Sequence, residues 1–189
     1  MKRMEMISPK DRKRIVLVQP RGFNWFPGSR DVTDIANRMV PQGILSIAAY
    51  LIQLGHDVFI YDCLGPGAPV NLDDQVKAIL DLKPQMVGFS ATTSSFPDAA
   101  DLARKIKDHT PGILTVCGGV HVSALGEILL SSYPQFDCLC PGEGEITMAE
   151  LAGELADVAL YLLQLATLTS IDLEQAILAK LDKNYRRTW

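Results

Sequence analysis

The chain has 189 residues, 48% of them hydrophobic, and a formal charge of −4. That length buries one sizeable core and a small appendage, and excludes a pair of large domains. Beyond a basic start (MKR, then KDRKR) lysine and arginine are scattered, so there is no electrostatic stripe for duplex DNA and nucleic acid is excluded as a partner.

Residues 1–13 form a basic tail with no apolar h-region after it, so no signal peptide is expected. Five β-rich apolar runs follow, at IVLVQ (15–19), DVFIYD (57–62), MVGFS (86–90), LTVCGG (114–119) and FDCLC (136–140), each separated from the next by a helical pattern. Runs that are apolar on both faces and alternate with helices predict a parallel sheet covered on two sides. Pro41 opens a helix whose Ile44, Leu45, Ile47, Ala48, Leu51 and Ile52 form a broad apolar face, and Gly55 ends it as a left-handed cap. Asn71 caps the second helix, Ser95 and Pro97 start the third with Asp98 in its first turn, and Ser123 caps the fourth. Right-handed crossovers then give an α/β fold over 14–149, a flavodoxin-like, doubly wound five-stranded sheet in the order 2-1-3-4-5.

After Cys140 the pattern is purely helical. One helix is expected over 147–168, a turn at TSID, and a second over 172–186 with Asp172 as its cap and Gln175 three places on. Residues 150–189 thus read as a C-terminal α-helical hairpin that joins the sheet domain without a flexible spacer. Its oily run, VALYLLQLATL, is too short to span a bilayer and carries Gln164, so a soluble, cytoplasmic chain with no membrane partner is expected. Cys63, Cys117, Cys138 and Cys140 have neither zinc spacing nor an iron–sulfur triad and read as reduced structural thiols.

Ligands of doubly wound sheets bind outside the carboxyl ends of the strands. The loop after the first strand has no G-x-G-x-x-G and no hydroxyl-rich phosphate loop, and the third strand ends at Ser90 where a receiver domain would need Asp. What the third and fourth strands do offer is VGFSATTSSFPDAAD and VCGGVHVSALGE. The hydroxyls of Ser90, Thr92, Thr93, Ser94 and Ser95 face Gly118 and Gly119, where backbone can approach a ligand closely. Such a slot suits a flat heterocycle on a polar tail. The same residues also serve as helix caps and a tight turn, and composition does not choose between the two roles.

Residues 14–150 resemble the cobalamin-binding domain of cobalamin-dependent radical S-adenosylmethionine enzymes, including the anaerobic magnesium-protoporphyrin ester cyclase group. The matching features are an opening strand ending in QP, then PQGILSIAAYLIQLGHDV, SATTSS, CGGVHVS and the closing PGEGE. The resemblance implies that the nucleotide tail of cobalamin slides between sheet and helices near Ser90, Thr92, Gly118 and Gly119, with the corrin across the loop ends. Thr93, Ser94, His121 and Glu143 complete the expected cofactor-binding set. His56 falls in the turn entering the second strand, and His109 near a helix end that favours positive charge. Glu143 and Glu145 also favour the dipole of the helix they precede. The D-x-H-x-x-G loop that would supply a histidine to cobalt is absent, and so is the C-x-x-x-C-x-x-C motif of a radical domain.

In the tail, Glu150, Glu154, Asp157, Tyr161 and Gln164 form a polar stripe on an oily helix, either as a solvated face or with Glu154 and Asp157 directed at one magnesium ion. ELADVALYLLQLATLTSIDLEQAILAKLDKNYRRTW resembles the C-terminal half of MazG-type nucleotide pyrophosphohydrolases. That resemblance implies metal binding by Glu154 and Asp157 and phosphate binding by Lys180, Lys183 and Asn184. The E-x-x-E helix the family also needs is missing upstream. The expected function is therefore a cobalamin-binding module with a separate catalytic partner and no complete active site of its own. A magnesium-dependent nucleoside triphosphate pyrophosphohydrolase assembled across chains is the alternative, and a chimeric fragment with no ligand the third. So apolar a hairpin is expected to pair with a second copy into a homodimer.

Overall fold

A computed structural model describes residues 11–22, 40–126, 128–152, 172 and 175. The chain divides into two compact units, Met1–Glu150 and Leu151–Trp189. In the first unit, β1 (Arg14–Gln19), β2 (Asp57–Asp62), β3 (Met86–Ser90), β4 (Leu114–Gly118) and β5 (Cys138–Cys140) form one sheet in the order β2-β1-β3-β4-β5. Every pairing is parallel, with Leu17 opposite Gly88 and Ser90 opposite Gly118, itself opposite Cys140. The expected fold and strand order are borne out.

Burial follows position in the sheet. Ile15, Val16, Leu17 and Val18 in interior β1 are at most 2% exposed, as both-face coverage requires, whereas edge strand β2 leaves Ile60 38% exposed. The chain leaves β4 at Gly118 and not one residue later, because Gly119 has a φ of 98° and cannot continue a strand.

The helices are α1 (Gln42–Leu54), α2 (Leu72–Asp81), α3 (Phe96–His109), α4 (Val120–Leu125) and α5 (Ile128–Ser132), and the chain is helical again from 144. Gly55 ends α1 in the left-handed region with its N–H on the Ile52 and Leu51 carbonyls. The buried stripe of α1 is Ile44, Ala48 and Leu51, narrower than the expected face; Leu45 and Ile52 point outward at 43% and 55% exposure. Asn71 caps α2, its side chain accepting from the Asp73 and Asp74 N–H groups.

Two expected caps work differently. Ser95 precedes α3, but its Oγ accepts from Thr92 N–H at 2.9 Å and so closes the preceding turn. Ser123 does not cap the fourth helix: α4 begins at Val120 behind Gly119, and Ser123 lies inside it. The fourth helix is also broken at Gly126, whose φ of 61° is not helical.

The large core lies on one face of the sheet, where Val16, Val18, Val87 and Phe89 meet Val76 and Ile79 of α2 and Leu102 and Ile106 of α3. The opposite strand positions, Leu17, Gly88 and Val116, look towards α1 and the segment that begins at 144. In the second unit, Asp172 Oδ1 accepts from Gln175 N–H at 3.0 Å, the bond expected of that cap. Residues 150–152 are helical, and residues 153–171, 173–174 and 176–189 of the expected hairpin, with the homodimer expected through it, lie outside the described residues. Among the described residues no helix is long and apolar enough to cross a membrane.

Candidate functional site

On the face towards α1, the side chains near the carboxyl ends of β3 and β4 are small. β3 presents Met86, Gly88 and Ser90 in turn, and β4 presents Leu114, Val116 and Gly118. Strand residues two apart share a face, so Gly88, Ser90 and Gly118 together leave a space under α1. The result is a cavity of about 130 Å³ at the top of β1, β3 and β4. Its floor is apolar, from Leu17, Val116, Ile44 and Met148, and its mouth carries Ser90, Glu143 and Glu145. The position matches the crevice at which a doubly wound sheet reverses its strand order, here between β1 and β3.

The loops at the mouth are tied to one another. Ala91 N–H donates to the Gly118 carbonyl at 2.9 Å, and His121 N–H donates to the Ala91 carbonyl at 3.3 Å. Gly119 makes this possible, because a Cβ there would lie 2.6 Å from the Ala91 carbonyl oxygen. Ser123 Oγ donates to the Gly119 carbonyl at 3.0 Å and accepts from Gly142 N–H at 2.9 Å, which links the β4 and β5 loops. Across the mouth, Ser46 Oγ of α1 donates to Glu145 at 2.6 Å, and this bond holds the Glu145 carboxyl below its usual range. Gly22 N–H, just after β1, donates to Asp98 at 2.8 Å and so fixes the start of the first loop against α3.

Of the residues expected from the sequence, Ser90, Gly118, Gly119 and Glu143 line the cavity. Thr92, Thr93, Ser94 and His121 do not line it. Thr92 Oγ1 lies 3.1 Å from both Ser94 Oγ and Ser95 Oγ, and His121 Nδ1 lies 3.2 Å from Thr93 Oγ1. The His121 ring also packs on Phe96, with centroids 4.4 Å apart. These groups form a hydrogen-bonded rim beside the mouth. The two roles left open for the hydroxyls and glycines are thus divided among them: Ser95 and Gly119 shape turns, while Ser90 and Gly118 face the space.

Sequence reasoning missed Gly43, Gly88, Gly144 and Met148 in the lining. Gly88 carried a signal, since a glycine inside a strand often marks a close approach. Met148 carried none.

Burial pushes the thiols of Cys63 and Cys117 up to about 12 and raises that of Cys140. All four cysteines are free. Among the described residues, no group of three or more His, Cys, Asp or Glu is placed to hold a metal ion. Glu154, Asp157, Lys180, Lys183 and Asn184 lie outside the described residues.

An apolar floor under a polar mouth fits an elongated molecule that buries a ring and leaves a polar end in the open. Comparison with known proteins agrees with that chemistry. A family model described as "B12 binding domain" matches residues 29–152. An uncharacterized methyltransferase of Pyrococcus horikoshii is 31% identical over 143 residues, which are 76% of this chain and 29% of the relative. The anaerobic magnesium-protoporphyrin IX monomethyl ester cyclase of Synechocystis is 32% identical over 120 residues, 62% of this chain and 24% of the relative. The cobalamin-dependent radical SAM methyltransferase TokK of Streptomyces tokunonensis is 32% identical over 92 residues, 47% of this chain and 14% of the relative. None of these is a nucleotide pyrophosphohydrolase. The chain spans less than a third of the length of each of these curated relatives. Among solved structures, NtrX from Brucella abortus superposes with a TM-score of 0.52 at 19% identity, over 84% of this chain and 30% of that one, a likeness of fold alone.

Proposed function

The chain belongs to the B12 binding domain family, related to cobalamin-dependent radical SAM enzymes, and from that premise we propose that it holds a corrinoid by inserting the nucleotide arm into the cavity under α1. The observation that carries the reading is the group of small residues Gly88, Ser90 and Gly118 towards the carboxyl ends of β3 and β4, which opens the sheet where doubly wound folds take ligands. Leu17, Ile44 and Val116 would pack the buried ring. Ser90 and the exposed backbone of Gly118 would meet the polar part of the arm. The hydroxyls of Thr92, Thr93 and Ser94 and the imidazole of His121, beside the mouth, would contact the corrin's amide groups.

Bound corrinoid supplies alkyl-group or radical chemistry at cobalt. This chain's residues hold and orient it, and chemistry on a substrate is assigned to a separate catalytic partner or domain. We assign His121 to the rim, where its Nδ1 lies 3.2 Å from Thr93 Oγ1 and its ring packs on Phe96. The magnesium and nucleotide roles of the 150–189 segment remain a resemblance in sequence, and the corrinoid proposal does not depend on them.

Hydroxocobalamin titration followed by visible absorption tests the reading. Gly43→Phe is the blocking variant, because Gly43 lines the cavity and a Cβ there has nothing within 4 Å. Gly119 is unsuitable for this purpose, since any side chain there runs into the Ala91 backbone. Saturable one-to-one binding by the wild type, lost in a Gly43→Phe protein with a native circular dichroism spectrum, is expected. No spectral change by the wild type up to millimolar hydroxocobalamin would falsify the reading.

A further inference from the structure

We propose that Met148 is a retractable plug that sets the depth of the cavity, and with it the preference for a corrinoid carrying a complete nucleotide arm over one without it; this rests on the corrinoid reading above. Gly88 stands in the middle of β3, between the buried Val87 and Phe89, where a glycine weakens the strand and a side chain would normally pack. The room it leaves is taken by Met148. A Cβ at Gly88 would lie 2.9 Å from Met148 Cε and 3.8 Å from its Sδ, so the end of the thioether lies against bare strand backbone. Met148 is 4% exposed and reaches the sheet from the helical segment that begins at 144.

Two other close approaches involve branched side chains: a Cβ at Gly88 would also lie 3.0 Å from Leu17 Cδ2, and one at Gly144 would lie 2.8 Å from Ile47 Cδ1. At Gly118 the neighbour is the Cys140 carbonyl oxygen, 3.0 Å from where a Cβ would be, and backbone cannot withdraw. Met148 can, because an unbranched thioether has three rotatable bonds and accepts many packings at little cost. Such a movement enlarges a small site. A site that buries a small molecule typically measures about 300–1,000 Å³, and the cavity holds about 130 Å³ with Met148 in place. A side chain that rotates off Gly88 extends the space along β3, between Leu17 and Val116, and lets a flat ring lie on backbone where no Cβ intervenes. A ligand without that ring gains nothing from the movement.

The test compares cobalamin with cobinamide, the corrinoid lacking the nucleotide, on the full chain. Met148→Ala removes the cost of retraction and is expected to tighten cobalamin binding by about threefold or more. Met148→Phe over-fills the floor and should weaken it by about tenfold or more. Neither change should move cobinamide binding by more than about twofold, since cobinamide does not reach the floor. A second measurement needs no substitution: in wild-type protein labelled at the methionine methyl groups, the Met148 resonance, assigned through Met148→Leu, should shift on adding cobalamin and stay in place with cobinamide. If wild type binds cobalamin but the Met148 methyl does not move, or folded Met148→Phe binds it as tightly as wild type, the plug is overturned and the corrinoid reading stands. If wild type binds neither corrinoid, both fall together.

Discussion

His56 shows how a single side chain ties the fold to pH. It ends the α1–β2 turn 5% exposed, and its Nδ1 accepts from the Lys13 N–H at 3.3 Å, which joins the start of β1 to the start of β2. Burial first, and the charge of Lys13 second, lower its pKa from 6.5. A protonated ring could not accept that hydrogen bond. The folded protein therefore binds fewer protons than the unfolded chain between the lowered value and 6.5, and in that window stability rises with pH. The contribution is complete above 6.5 and is lost as pH falls towards the folded value. Urea midpoints measured across this range should fall on acidification, and His56→Gln, which keeps an acceptor but cannot titrate, should flatten that part of the slope. An unchanged slope in the variant would remove His56 from the account.

At the scale of elements, the sheet faces separate stability from ligand holding. Asn71 caps α2, which packs with Val76 and Ile79 on the face away from the cavity. Asn71→Ala should cost about 1 kcal/mol in chemical unfolding, and leave the affinity for hydroxocobalamin unchanged within about twofold. A large loss of affinity would mean that the two faces are coupled. Strands and helices were legible because each carries a local cause: β-rich runs for the strands, Asn71 and Gly55 for helix ends. Ser123 was misread for a physical reason. A serine before apolar residues has the pattern of a cap, but the left-handed turn at Gly119 starts α4 earlier and leaves the hydroxyl free to bridge to Gly142. The site was legible in part for the same kind of reason. The strand ends Ser90 and Gly118 follow from where a doubly wound sheet binds, while Met148 and Gly43 reach the cavity only through packing, which spacing along the chain does not encode.

For the molecule as a whole, the cavity exists only when segments from Leu17 to Met148 are brought together, since its walls come from β1, α1, β3, β4 and the turn after β5. No short stretch of the unfolded chain reproduces that surface, so a corrinoid that binds here binds the folded state alone. Mass action then converts affinity into stability. At a free ligand concentration one hundred times the dissociation constant, the folded state gains about 2.7 kcal/mol. For a chain of this length that corresponds to a rise in melting temperature of about 5–10 °C. The rise should grow by a constant increment with each tenfold increase in hydroxocobalamin, and Gly43→Phe should melt at one temperature whatever the ligand concentration. A corrinoid that coats exposed apolar surface such as Val120 or Ile128 would behave otherwise. It would stabilise wild type and variant alike, or destabilise both by favouring the unfolded chain, and either pattern in differential scanning calorimetry would move the ligand out of the cavity.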